Sequence, residues 1–119
     1  MFIKAIATPA ASFGASIASF RRKYPNAEAD INTELQMYVS EKKRVPAPPS
    51  CASVPGLGAT VLKVRVRSSD QGRGRSGGFR VLLLHIGENE WRPLLAYAKT
   101  DREDVDKQDL LRTIKASVS

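Results

Sequence analysis

Lys63, Arg65 and Arg67 alternate with Leu62, Val64 and Val66. In an extended strand this period of two sends the aliphatic residues to one face and the cations to the other. The cations then form a row spaced at about 7 Å, close to the distance between phosphates in an extended nucleic acid strand. A single such cation would read as a solvated surface residue. Three in a row repel one another, so a bound polyanion is the natural complement. Arg80 is a sharper case, because it begins the apolar run Phe79 to Ile86, where a charge is expensive unless paired or set in a binding site. Lys99 terminates another apolar stretch, on the same face as Tyr97 and Leu95. If these segments lie side by side, Lys63, Arg65, Arg80 and Lys99 converge on one patch.

The connection Gly72-Arg73-Gly74-Arg75-Ser76-Gly77-Gly78 formally contains GxGxxG. A dinucleotide site needs that motif to open a helix whose N-terminus binds the pyrophosphate. Here it opens a strand, so the dinucleotide reading fails. What remains is a glycine-rich hairpin connection that offers Arg73 and Arg75 as phosphate ligands, against the plainer reading of an ordinary turn.

The 119 residues suffice for one domain, spanning 1–119. Nineteen Lys and Arg against twelve Asp and Glu give a net charge of +7, which suits nucleic acid or an anionic membrane surface. The charge is uneven: residues 61–80 hold six basic residues and one acid, residues 88–109 seven acids and four basic residues. No apolar run approaches the ~20 residues that span a bilayer, so no membrane partner is expected. The basic row also lies on a strand between core residues, unlike the amphipathic helix of a membrane-surface protein. One cysteine, Cys51, excludes an internal disulfide and a cysteine-rich zinc site, and points to a reducing compartment such as the cytoplasm. With His85 the only histidine, Ser-His-Asp chemistry and His metal clusters have little to build on, so neither metal nor cofactor is expected. Residues 1–27, acid-free, serine-bearing and containing Arg21-Arg22-Lys23, resemble an organelle transit peptide, but they read better as folded structure.

The elements that would position these residues follow from periodicity. Phe2 to Thr8 reads as a strand. Thr8 and Pro9 supply an N-cap and a first helical position, and Phe13, Ile17, Phe20 and Tyr24 make one buried stripe that Pro25 ends. Asn26 caps a second helix with Ile31, Leu35, Tyr38 and Val39 inward. The clusters Arg21-Arg22-Lys23 and Lys42-Lys43-Arg44 fall in the last turns, where complementing the helix dipole is preferred to RNA binding as their explanation. A Pro/Gly loop over 46–58 leads to three strands, with Pro93 near the start of the last or at a bulge. A helix over 104–118 closes the chain with Leu111, Ile114 and Val118 inward, capped by Thr100 and Glu103 or by Asp104. The predicted fold class is α+β: a small, mostly antiparallel sheet in the order strand-helix-helix-strand-strand-strand-helix, with helices packed on one face. The other face is left to carry function.

The run from Val61 to Asp104 resembles toxins of the RelE/ParE superfamily, especially the HigB/RelE-like branch of bacterial type II toxin–antitoxin systems. The resemblance rests on three features: Leu62-Lys63-Val64-Arg65-Val66, the loop ending Ser76-Gly77-Gly78-Phe79-Arg80, and the strand end Tyr97-Ala98-Lys99 before acidic residues. It covers a little over a third of the chain; the N-terminal strand and helices match only in order and length. It implies a RelE-like fold, cleavage of messenger RNA on the ribosome, inhibited translation and a cognate antitoxin partner. By position, Arg80 matches the active-site arginine of the family, and Lys63, Arg65 and Lys99 match basic positions that bind RNA or promote proton transfer. The C-terminal helix has no tyrosine, so a tyrosine-based step there is unsupported. Tyr97 reads as a buried aromatic.

Metal-free RNA cleavage uses the strand's own 2′-hydroxyl as nucleophile. The protein must stabilise the pentavalent phosphate, accept one proton and donate another. Arg80 and Arg65, with Arg67, Arg73 or Arg75 as further phosphate ligands, suit the first task because arginine stays charged and binds phosphate bidentately. Lys99 or Lys63 can serve as base if neighbouring cations depress its pKa. His85 is the rival, but alternation places it on the face opposite Arg80. Two other classes remain open: a ParE-like gyrase inhibitor, and a catalytically inactive RNA- or ribosome-binding relative with strongly salt-dependent binding.

Overall fold

In the computed structural model, which describes residues 5–40, 51–53, 60–69, 78–87, 90–98 and 107–118, the period-two segments pair into one sheet. Its strands are β1 (Ala5–Ile6), β2 (Cys51–Ser53), β3 (Thr60–Val66), β4 (Phe79–Gly87) and β5 (Glu90–Ala98), in the spatial order β1-β5-β4-β3-β2. All neighbours run antiparallel except β1 and β5, which are parallel. Helices α1 (Ala11–Phe20), α2 (Ala27–Val39) and α3 (Lys107–Val118) complete the described elements. The observed class is the expected one, α+β with a mostly antiparallel, RelE-like sheet.

Alternation in β3 works as its sequence dictates. Leu62, Val64 and Val66 are buried against α1 and α2, together with Phe79, Val81 and Leu83 of β4 and Trp91, Ala96 and Ala98 of β5. The helices contribute Phe13, Ile17, Phe20, Ile31, Leu35 and Tyr38 to the same core, following the 3.6-residue period. At one end of this layer Phe79 stacks on Phe20 at 5.5 Å and meets Tyr24 edge-on at 5.4 Å. Such pairs add about 0.5–1.5 kcal/mol each beyond area burial.

Within this class, the helices divide between the two faces. Leu110 and Ile114 of α3 pack with Val61, Leu82, Leu84 and Leu94, on the side of the sheet away from the main core. Both sides of β4 are apolar beyond Arg80, so the second side needs a cover too, and α3 supplies it over that half. The inward stripe of α3 is Leu110 and Ile114, one turn apart, whereas Leu111 is only half-buried. Residues 104–106, the expected caps Thr100, Glu103 and Asp104, and the side chain of Val118 lie outside the described residues.

Local differences from the sequence expectation have physical causes. Helix α1 starts at Ala11 with Ala10 as its N-cap, two residues later than Thr8 and Pro9 suggested. The intervening chain is held extended along β5: Ala7 N–H donates to Trp91 O at 2.8 Å and Ala10 N–H to Pro93 O at 2.9 Å. Farther along, Ser12 Oγ donates to Leu94 O at 2.6 Å, and Ala96 N–H donates to Ser16 Oγ at 3.0 Å. Beyond β1, hydroxyls of α1 thus meet backbone groups of β5.

Helix α1 stops at Phe20, so Arg21, Arg22 and Lys23 lie in the following turn rather than in the last helical turn. Tyr24 N–H still donates to Phe20 O at 3.0 Å, so helical bonding runs on through this turn as far as the residue before Pro25, which disfavours any further helix. Asn26 does precede α2, but its side chain makes no capping hydrogen bond; its carbonyl accepts from Asp30 N–H at 2.9 Å. Lys42, Lys43 and Arg44 lie outside the described residues. The loop expected over 46–58 contains β2, paired with Thr60, Val61 and Leu62.

Pro93 sits at a bulge. Leu82 faces Leu95 while Leu83 faces Pro93, so Leu94 is the extra residue of β5. A missing N–H is tolerated at such an interruption of the ladder.

Candidate functional site

The register of the central strands assembles a polar row. Arg65 lies directly opposite Arg80, and Arg80 directly opposite Tyr97. Directly paired residues share a face and have Cβ atoms about 5 Å apart. The next row along is Lys63, Leu82 and Leu95. This face therefore grades from cationic at the end where β4 begins to apolar where α3 covers it.

Burial differs sharply within the row. Arg65 is exposed and Lys63 half-buried, while Arg80 is only 7% exposed and Tyr97 only 4%. Arg80 Nη1 donates to its neighbour's carbonyl, Phe79 O, at 3.2 Å. Burial and then the Arg65 charge lower the Arg80 pKa, and Tyr97 acts in the opposite direction. A guanidinium so placed stays protonated near neutrality. It is nevertheless a buried cation set beside another cation, an arrangement that a phosphate would complement.

Arg67 is exposed just beyond the end of β3. The structure thus brings Lys63, Arg65 and Arg80 to one side, with Arg67 at the rim. Lys99, Arg73 and Arg75 lie outside the described residues. His85 is on the opposite side, paired across the strands with Trp91 and with its ring 4.8 Å from the indole.

Both ends of the 70–77 connection are fixed where they join the described fold. Ser69 donates to Asp30 Oδ2 through its N–H at 2.9 Å and its hydroxyl at 3.0 Å, tying the end of β3 to α2. At the other end Gly78 has φ +86°, a left-handed conformation that favours glycine. A Cβ there would stand 2.4 Å from Val66 O, so only glycine lets the two strands close behind the row.

Two of these features were not singled out from sequence. Tyr97 reads from sequence as a buried aromatic on the face of Lys99, but its direct pairing with Arg80 depends on the register that follows the bulge. The Asp30 to Ser69 contact joins positions 39 apart, and nothing local in either segment announces it.

A family model described as "RelE toxin of RelE / RelB toxin-antitoxin system" matches residues 52–118, more than half of the chain. The match is to the family as a whole and does not single out a HigB branch. No curated protein and no solved structure matches the chain. No helix among the described residues is long and apolar enough to cross a membrane.

Proposed function

The chain belongs to the RelE toxin family of RelE/RelB toxin–antitoxin systems, and from that premise we propose that it is an endoribonuclease that cuts messenger RNA on the ribosome and so inhibits translation. Membership implies an antitoxin protein as partner. The observation that carries the catalytic reading is Arg80, buried in the sheet between Arg65 and Tyr97. A buried guanidinium held in one geometry is preorganised to meet the negative charge that develops on a phosphate.

In the proposed reaction the 2′-oxygen attacks the adjacent phosphorus as its proton passes to a base. The P–O5′ bond breaks, and the departing 5′-oxygen takes up a proton. The products are a 2′,3′-cyclic phosphate and a 5′-hydroxyl, with no co-reactant. Arg80 and Arg65 stabilise the additional negative charge on the pentavalent phosphate, and Arg67, Arg73 and Arg75 hold flanking phosphates. Lys99 or Lys63 accepts the proton and the other remains charged. The cytoplasm, where messenger and ribosomes are found, is the proposed place of action.

Induction in a bacterial host tests this reading, with wild type compared against Arg80→Ala and both growth and messenger RNA ends recorded. New internal RNA ends and growth arrest with wild type, and neither with Arg80→Ala, are expected. Arrest without new RNA ends, accompanied by inhibited supercoiling, would replace the ribonuclease by a gyrase inhibitor. A soluble but harmless wild type would point to a binding role.

A further inference from the structure

Arg21, Arg22 and Lys23 form the most concentrated run of positive charge among the described residues, and all three are exposed. Lying directly after α1, with Arg21 as its C-cap, they complement the dipole of α1, and their exposure leaves the same charge open to a further partner. Arg21 is partly offset by Glu28, its Nη2 lying 3.3 Å from Glu28 Oε2 in an exposed pair. Lys23 lies over the Tyr24 ring, 5.5 Å from its centroid. The other nearby acid, Asp30, accepts both hydrogen bonds from Ser69. Among the described residues of 21–30, Arg21, Arg22 and Lys23 stand against Glu28 and Asp30, so positive charge outweighs negative there.

Its location gives that charge a use. The residues flanking the turn, Phe20 and Tyr24, both contact the Phe79 ring. Phe79 immediately precedes Arg80, and it pairs across the sheet with Val66, the neighbour of both Arg65 and Arg67. The turn thus sits at the same end of the sheet as the arginine row, but on the helical side. Arg67 is exposed just beyond the end of β3, at the same end of the sheet. An RNA strand leaving the row would meet Arg67 and then the turn about one layer spacing, ~10 Å, away.

We propose that the Arg21–Lys23 turn is a second phosphate-binding surface, which carries a single-stranded RNA round the end of the sheet from the Arg65–Arg80 row. This rests on the proposed reading of the row as an RNA site. The surface recognises backbone charge and not sequence, because the turn offers exposed cations without an aromatic platform on which bases could stack.

The test uses uncleavable 2′-O-methyl RNA in two lengths: 5 nucleotides, enough for the row, and 20 nucleotides, enough to reach the turn. The Arg22→Gln/Lys23→Gln double variant keeps long polar side chains at an exposed turn, and its melting temperature checks the fold. Two lost phosphate contacts reduce the salt slope for a single strand by about 1.4, equivalent to about 25-fold weaker binding at 0.1 M salt. That loss is expected for the 20-mer and not for the 5-mer, and Arg22→Glu/Lys23→Glu should deepen it. Unchanged 20-mer binding, or equal losses at both lengths, overturns the proposal. Arg80→Ala separates the premise from the proposal by weakening both lengths if the row binds RNA. If Arg80→Ala weakens neither, the reading of the row fails and takes the proposal with it. A harmless double variant beside a damaging Arg80→Ala overturns the proposal alone.

Discussion

Replacing Gly78 with alanine should destabilise the protein severely, although it adds a single methyl group. Gly78 holds φ at +86°, and an L side chain in a left-handed conformation costs about 1–2 kcal/mol. The new Cβ would also stand 2.4 Å from Val66 O, well inside the ~3.3 Å at which a carbon normally meets a carbonyl oxygen. That oxygen belongs to the backbone of a paired central strand and has no rotamer by which to escape. Forcing extra volume into such a site costs about 1–3 kcal/mol more. The sum, about 2–5 kcal/mol, corresponds at about 4 °C per kcal/mol to a melting temperature lower by about 8–20 °C. Gly14→Ala is the matched control. It adds the same methyl group to an exposed face of α1 with nothing within 4 Å, and should stabilise by about 1 kcal/mol through helix propensity. Thermal unfolding followed by circular dichroism measures both. Since Gly78 lies two residues before Arg80, and Val66 next to Arg65, any Gly78→Ala protein that folds in the cold should also lose toxicity. A Gly78→Ala melting temperature within 2 °C of wild type would refute the reasoning, as would equal shifts for the two glycines.

Other perturbations separate stability from function. Arg80→Met should abolish toxicity in a protein that still folds, because methionine keeps an unbranched apolar stem at this buried position and removes only the charge; retained toxicity in a folded Arg80→Met protein would contradict that account. Ser16→Ala leaves the Ala96 N–H without its acceptor and should cost about 1–3 kcal/mol, with faster hydrogen exchange at that amide; unchanged exchange would disprove the contact. Burial first, and then the Glu34 charge and hydrogen bond, raise the Tyr38 phenol above its ordinary pKa. A raised folded-state pKa contributes stability that is whole below the unfolded value of ~10 and is lost as pH climbs from there toward the folded value. Urea midpoints should therefore fall above about pH 10, and more steeply than in Tyr38→Phe; identical slopes would exclude Tyr38 as the cause.

The sequence revealed most where a residue's own neighbours decide its fate. Alternation in 61–67 placed Lys63 and Arg65 opposite the aliphatic core, and it put His85 on the side away from Arg80. Pro93, lacking an N–H, marked the bulge in advance. Long-range geometry was harder to read. Leu110 and Leu111 are adjacent leucines, and which one faces inward depends on where α3 lands on the sheet. Thr8 and Pro9 carry a sound local helix signal, overridden by backbone hydrogen bonds to β5 more than eighty residues away. The serines that lend residues 1–27 the look of a transit peptide include Ser12 and Ser16, both bonded to β5. In the site, the individual cations were legible but their unequal burial was not. That inequality sets Arg80 apart from Arg65.

The serine contacts along β5 also bear on how copies of this protein can associate. A sheet has two lateral margins, and a protein with both open can recruit neighbours indefinitely into a growing fibre. Among the described residues one margin is β1, two residues long, and beyond it α1 engages Leu94 O and Ala96 N–H of β5 through Ser12 and Ser16. The opposite margin ends in β2, only three residues long. Short outer strands and an occupied stretch of β5 leave few free backbone groups from which a second sheet could extend. Ser12 and Ser16 thus do more than fasten α1: they occupy a carbonyl and an amide of β5 that would otherwise be open to edge-to-edge pairing.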